Sequence, residues 1–450
     1  MNQRPRAAAC FAAGVLAAGG LALGASAPAS AATPTRIQII DFNDFHGRID
    51  GNTTKWATTI EQQRTADGFT DANTLLISAG DNIGASLYAS ATQQDQPTID
   101  VLNALGLDAS AVGNHEFDKG FADLRDRVIA GGANATWDYL GANVVDSGTL
   151  EPVLPPFAIE TVDGVSVGII GAVTQETPTL VSPGGVTGLT FTDPVDAVND
   201  YAALLNDGDT SNGEADVIVA VYHEGAPYAS PPATFAEQIA DSTVFAHIVN
   251  DTDAAVDAII NGHTHQPYVF TAPDTTRPVI QTGSYGDHIG VLQLSYDADT
   301  DTVTTEAAKL VDRVATADTS LPRVAEVDAI TEAALDVAEV TGNVEVGRIT
   351  ADITTAYSGG EYVDGKYTGG SRDDRSSESA LGNTVADALL DTLADPDRGG
   401  AQIGVVNPGG LRNELFYDAP PQAVVPLSPQ RILDTRTGAS TVDGQFAGTG

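Results

Sequence analysis

Five of the seven histidines in this chain fall in short polar or glycine-containing clusters just after an apolar run. His46 lies in Asn43-Asp44-Phe45-His46-Gly47, His115 in Gly113-Asn114-His115-Glu116-Phe117-Asp118, and His223 in Tyr222-His223-Glu224-Gly225. His263 and His265 share Asn261-Gly262-His263-Thr264-His265, and Gly80-Asp81-Asn82 adds a further carboxylate and amide. Imidazole, carboxylate and amide donors without thiolate suit Zn, Mn, Fe or Co. Asp-x-His and His-x-His spacings let one loop aim two side chains at one place. A single loop histidine would read as a satisfied surface or core residue; five in one kind of position point to a metal site. His247, inside the apolar stretch Val244–Val249, reads as a packing residue, and His288, after Gly283-Ser284-Tyr285-Gly286, as a loop residue.

The elements that must position these residues are buried strands. Ile37–Ile40, Leu75–Ala79, Ala111–Val112, Val217–Val221 and Ala258–Ile260 are short aliphatic or β-branched runs, each ending at a polar cluster. Apolar helical stretches at Ile99–Leu107 and Thr243–Ala258 lie between them. Such alternation predicts an α/β layered fold with functional loops at the carboxyl ends of strands. Leu321–Val340, rich in Ala, Glu, Leu and Val at helical spacing, predicts a helix linking two domains.

The 450 residues suit two or three domains, and 42% apolar residues describe a globular chain. With 61 acidic and 21 basic side chains the formal charge is -40, which argues against recruiting nucleic acid or anionic membrane through a basic surface. Arg4 and Arg6, the Ala/Gly/Leu run after them and Ala29-Ser30-Ala31 predict an export signal over residues 1–32. No other segment reaches membrane-spanning length. Cys10, the only cysteine, falls within that signal, which leaves no thiol for disulfides or metal sites. Gly164-Val165-Ser166-Val167-Gly168 matches a nucleophile elbow by letter, but Asp163-Gly164 reads as a hairpin turn and the rest as strand. Asp297, Asp299 and Asp301 resemble a calcium loop, yet Thr302 and Ala308 stand where Gly and Glu are needed, so an acidic turn is expected.

The ordered set Asn43-Asp44-Phe45-His46-Gly47, Gly80-Asp81-Asn82, Gly113 to Asp118 and Gly262-His263-Thr264-His265 resembles the calcineurin-like metallophosphatases. More narrowly it resembles the secreted bacterial 5′-nucleotidase and UDP-sugar hydrolase family, from about Arg36 to about Pro420. Arg375-x-x-Glu378-x-x-x-Gly382-Asn383 and Asn407-Pro408-Gly409-Gly410-Leu411-Arg412 are similar to that family's substrate-binding domain. The resemblance implies a four-layer α/β/β/α sandwich over 33–318, a linking helix at 319–342 and a partial α/β nucleotide-binding domain at 343–420. It implies two divalent metal ions, Zn, Mn, Co or Fe. Asp44, His46, Asp81 and His265 would hold one; Asp81, Asn114, His223 and His263 would hold the other. His115 would be catalytic and oriented by Asp118. Arg375, Asn407, Gly409, Gly410 and Arg412 would bind the substrate. Tyr222 departs from the small residue more usual before the histidine.

The implied activity is export-coupled release of phosphate from nucleoside 5′-monophosphates, by in-line attack of a metal-activated water. UDP-sugars, or 2′,3′-cyclic nucleotides with 3′-nucleotides, are alternative substrates, and a surface binding module with impaired catalysis is the alternative of another class. The expected partner is a small nucleotide or phosphate ester, not a nucleic-acid polymer, and no membrane span is expected after signal cleavage. After Pro420 the family pattern breaks. Residues 421–450 instead resemble a repeat opening of exported bacterial surface proteins, which implies association with the cell surface.

Overall fold

The computed structural model describes residues 33–227, 233–272, 276–363, 366–372, 374–411 and 413–417. The signal-like segment, Arg412 and the tail after Tyr417 lie outside the described residues. In chain order the strands of the larger unit are β1 (Thr35–Phe42), β2 (Thr74–Ser78), β3 (Ala109–Ala111), β4 (Asp138–Leu140), β5 (Val144–Asp146), β6 (Phe157–Val162) and β7 (Val165–Val173). They continue as β8 (Leu189–Phe191), β9 (Val217–His223), β10 (Ala258–Asn261), β11 (Pro267–Thr271), β12 (Pro278–Thr282), β13 (His288–Asp297) and β14 (Thr302–Asp312).

Two six-stranded sheets form, in the orders β14-β13-β1-β2-β3-β4 and β11-β12-β10-β9-β7-β6. Strands β1 to β4 run parallel, as do β7, β9, β10 and β12. Antiparallel strands close the β14, β11 and β6 edges, and the parallel β4 forms the fourth. The apolar runs are continuous because both faces of each sheet are covered. Along β1, Ile37 and Ile39 pack with Ile169, Val219, Val221 and Ile260 of the opposite sheet. Ile40 and Phe42, pointing the other way, pack with Trp56 and Ile60 of the helix Thr53–Arg64 and with Ile99 and Leu102 of the helix Gln96–Leu105. The outer face of the second sheet packs Ala220 and Tyr222 against Val195, Val198, Phe245 and Ile248, from the helices Pro194–Leu204 and Thr243–Asp251. The result is the expected four-layer α/β/β/α sandwich, and the sheet faces settle Tyr222. It is buried in that outer core with its hydroxyl against Thr252 at 2.9 Å, so it points away from the loop that begins at His223.

The helix Pro322–Gly342 covers the first sheet's outer layer, burying Val324, Val327, Thr331 and Ala334. Beyond it a smaller unit holds the helix Ala380–Leu393, capped by Ser379, whose hydroxyl accepts from the Gly382 amide at 3.0 Å. Short strand pairs and an Ile353–Leu415 bridge accompany it. Among the described residues no helix is long and apolar enough to cross a membrane.

Three local expectations need correction. The helix expected to run from Thr243 to Ala258 ends at Asp251, because Thr252 turns to extended backbone and Ala258 opens β10. His247 is not a packing residue: on that helix's exposed side its Nδ1 meets Asp251 at 2.6 Å and its Nε2 meets Asp193 at 3.3 Å. His288 is the first residue of β13 rather than a loop residue, and its Nε2 lies 3.4 Å from Asp312. The hairpin turn expected at Asp163-Gly164 and the acidic turn expected at Asp297 to Asp301 are both present. Asp163 and Gly164, both with positive φ, turn β6 into β7, and Asp297 to Asp301 join β13 to β14.

Candidate metal centre

The loops that carry the candidate ligands all leave the carboxyl ends of parallel strands: β1, β2, β3, β9 and β10. Backbone hydrogen bonds join the first two loops. The amides of Asp44, His46 and Gly47 donate to the carbonyls of Gly80, Asp81 and Asn82 at 3.0, 2.9 and 2.9 Å. Asp44 Oδ2 accepts from the His263 amide at 2.9 Å, tying the β1 loop to the β10 loop across the two sheets. Asp81 Oδ1 accepts from the His115 amide at 2.8 Å. Gly113 must be glycine here, because a Cβ at that position would run into the Asp81 carboxylate.

Glu116, between His115 and Phe117, is buried and holds these loops in register. Its carboxylate accepts from the amides of Gly113, Asp81 and Asn82 at 2.7, 2.9 and 2.9 Å. Burial and the charge of Asp81 push its pKa up to about 7. Nothing in the spacing distinguished it from a surface acid.

These contacts bring the seven candidate ligands together. Potential ligand atoms of Asp44, His46 and His265 form one group within 4.8 Å of one another, and those of Asp81, His223 and His263 form a second. Asp81 Oδ2 faces both, at 3.6 Å from His46 Nε2 and 3.2 Å from His223 Nε2. Asn114 Oδ1 lies 3.2 Å from His223 Nε2. The imidazoles are oriented from behind. His46 Nδ1 meets the Gly84 carbonyl at 2.9 Å and His223 Nδ1 the Ala79 carbonyl at 2.7 Å, which turns each Nε2 toward the cluster. His115 Nδ1 meets Asp118 Oδ2 at 3.0 Å.

The electrostatics mark a place for positive charge. Burial would raise Asp44, yet His265, His46 and His223 hold its carboxyl well below the usual range. Burial works the same way on Asp81, and His223, His115 and His46 overcome it. Burial lowers His46 to about 4, whereas at His223 it is outweighed by Asp81 and Asp44, which lift the imidazole to about 10. Asp44 Oδ1 is buried and accepts no hydrogen bond, with His265 Nε2 at 3.0 Å. A buried, unsatisfied carboxylate oxygen facing imidazole nitrogens fits a divalent cation, which carboxylates and neutral imidazoles can share.

The substrate-side expectations fall in the smaller unit. Asn407 Oδ1 accepts from the Gly409 amide at 3.0 Å, shaping the Pro408–Gly410 turn. A Cβ on Gly409 would come within 3.2 Å of Arg375 Nη1, so Arg375, Asn407 and Gly409 are neighbours with Gly410 beside them. Glu378 Oε1 accepts from Asn383 Nδ2 at 2.8 Å, and both residues line a cavity of about 170 Å³.

The family profile described as calcineurin-like phosphoesterase matches residues 37–267, the stretch that contributes every candidate ligand. The chain belongs to that family and is a metal-dependent phosphoester hydrolase. Among its relatives, the endonuclease YhcR of Bacillus subtilis is 29% identical over 84% of this chain and 30% of its own length. The 5′-nucleotidase of Rattus norvegicus is 24% identical over 84% of this chain and 64% of its own. The chain thus spans under two thirds of either relative. A 5′-nucleotidase precursor from Thermus thermophilus shares the fold, with a TM-score of 0.58 and 21% identity over 84% of this chain and 71% of that one.

Proposed function

We propose that this chain is an exported phosphomonoesterase that releases phosphate from nucleoside 5′-monophosphates with two divalent cations. The observation that carries this reading is Asp81 Oδ2 facing both ligand groups. Asp44, His46, Asp81 and His265 would hold one cation, and Asp81, Asn114, His223 and His263 the other. When bound, such a pair polarises phosphoryl oxygens and lowers the pKa of water near neutrality.

The rest falls to side chains. His115 is a partly exposed imidazole beside Asp81 and His46, with its ring 5.0 Å from that of His46. Asp118 fixes its Nδ1, so Nε2 is the nitrogen assigned to a phosphoryl oxygen or to the leaving alkoxide. In-line displacement would form a P–O bond from a water molecule and break the bond between phosphorus and the nucleoside 5′-oxygen, which leaves with a proton from His115; the water's proton passes to solvent, from which His115 is reprotonated. Arg375, Asn407, Gly409 and Gly410 would position the nucleoside part, together with Arg412. The smaller unit, 343–420, would then be a partial substrate-binding domain joined through 319–342 to the catalytic unit 33–318. The signal-like segment 1–32 supports export, and the tail 421–450 supports surface association.

A second reading is phosphodiester cleavage, because one similar protein is named an endonuclease. A substrate panel separates the two. Protein stripped with EDTA and reloaded with Mn, Co, Zn or Fe is expected to release phosphate from AMP, and to lose that activity when EDTA is restored. Faster cleavage of an oligonucleotide or of bis(p-nitrophenyl) phosphate would favour the second reading. No turnover of AMP, UDP-glucose, a 2′,3′-cyclic nucleotide or the diester with any of these metals would overturn the catalytic proposal.

A further inference from the structure

In a chain so rich in acids, most cations are neutralised locally. Arg36, Arg64, Arg127, Arg313, Arg323 and Arg372 each sit against a carboxylate. Arg48 does not: among the described residues no carboxylate reaches it, and its Nε is buried without a hydrogen-bond partner. It follows His46 by two residues, on the same strand-end loop. Its guanidinium stacks on the face of Tyr285, with Cζ 3.7 Å from the ring centroid. That ring lies 5.4 Å from the His265 ring and 5.8 Å from the His46 ring.

The platform is tied to the candidate ligands themselves. The Tyr285 amide donates to the Asp44 carbonyl at 2.9 Å, and Arg313 Nη1 donates to the next carbonyl, Gly286, at 2.9 Å. Tyr285 holds a positive φ of 62°, unusual for an aromatic residue. The backbone thus turns this ring toward the site, and the ring carries a cation that the protein leaves unneutralised.

We propose that Arg48 is a charge-selecting residue of this site, favouring phosphomonoester dianions over phosphodiester monoanions. The proposal rests on the phosphoester-hydrolysis reading above. A monoester brings a second negative charge and a third non-bridging oxygen, which a diester lacks. One aromatic ring separates the guanidinium from two candidate ligands, a span comparable to the Debye length of about 8 Å, and partly buried charges are screened less than exposed ones. Stacking on tyrosine fixes it without cancelling its charge.

The test compares p-nitrophenyl phosphate with bis(p-nitrophenyl) phosphate in the metal-loaded parent, Arg48→Met and Arg48→Lys. In Arg48→Met, kcat/KM is expected to fall at least tenfold more for the monoester than for the diester. Arg48→Lys, which keeps the charge, should recover most of the monoester selectivity. Equal losses for both substrates, or a lysine variant as unselective as the methionine one, would make Arg48 a packing residue and overturn the proposal. Inorganic phosphate binding, followed by calorimetry on the same proteins, separates this failure from failure of the parent reading. If the parent turns over neither ester, weaker phosphate binding in Arg48→Met alone still supports the anion site, and unchanged binding ends it.

Discussion

Asp44, His46, Asp81, His263 and His265 all take positive φ, between 49° and 69°. Few residues adopt that region willingly, although Asp, Asn and His do so more often than most. Five such residues in one cluster indicate that the surrounding hydrogen bonds over-determine the loops, as expected where side chains must converge. At this scale the sharpest expectation concerns His115. Its nitrogen is held by Asp118, and its backbone amide, not its ring, is what binds Asp81 Oδ1. Changing His115 to Asn should lower kcat for AMP by about 10²–10⁴-fold, the usual share of general acid–base catalysis. The metal content of the purified protein, read by elemental analysis, should stay at the parent level. Loss of metal along with activity would make His115 a ligand and not an acid. Sequence left Arg48 and Tyr285 unread and could not separate a supporting role for Glu116 from a solvated one. Each acts across the fold: Glu116 on the amides of the β2 loop, Tyr285 on the carbonyl of Asp44 and Arg48 on Tyr285. Spacing along the chain carries no trace of such pairings. Asp44, His46 and their counterparts were legible because a strand's end fixes where the next few residues point.

Elements explain why one acid among the strand-end clusters is different. Asp41 also follows an apolar run, but it remains inside β1, paired across the ladder with Gly290 of β13. A Cβ at Gly290 would collide with the Asp41 carboxyl, so the acid fills a glycine-sized space in the sheet. Both its oxygens are buried without a hydrogen-bond partner, and burial pushes its pKa up to about 8. Unfolded, the same carboxyl ionises near 4. Between those values the folded state keeps a proton that the unfolded state has lost. The group's contribution to stability is therefore complete below about pH 4 and is lost as the pH rises through about 8. Asp41→Asn cannot ionise, so its melting temperature relative to the parent should climb between about pH 5 and about pH 8.5, by the equivalent of a few kcal/mol. Thermal melts across that range read the difference directly; a constant offset would mean that Asp41 does not titrate alone. The strands and sheet faces were legible from apolar runs, since burial on both faces demands them. The end of the helix Thr243–Asp251 was not, because apolar residues continue past it into the turn before β10.

At the scale of the whole molecule, a net charge of -40 meets a site built to hold cations. The opposition is one of distance. Surface acids act through solvent and are screened beyond a Debye length, while bound cations, Arg48 and the substrate would share one buried cluster. A small phosphate ester crosses the acidic field once, with few charges. A polyanion would lie along the surface and meet many acids together. Proteins that bind phosphate backbones through Lys and Arg lose affinity as salt rises, because counterions are released. Here the sign should reverse. At fixed divalent metal, kcat/KM for any oligonucleotide cleavage should rise between about 20 mM and about 300 mM monovalent salt, as the repulsion is screened. For a mononucleotide it should change by less than about threefold, since screening weakens the distant repulsion and the local attraction alike. Steady-state rates on both substrates over that range decide the matter. Oligonucleotide cleavage that is fastest at the lowest salt would reveal a basic track that the acidic composition conceals, and polymers would then have to be counted among the substrates.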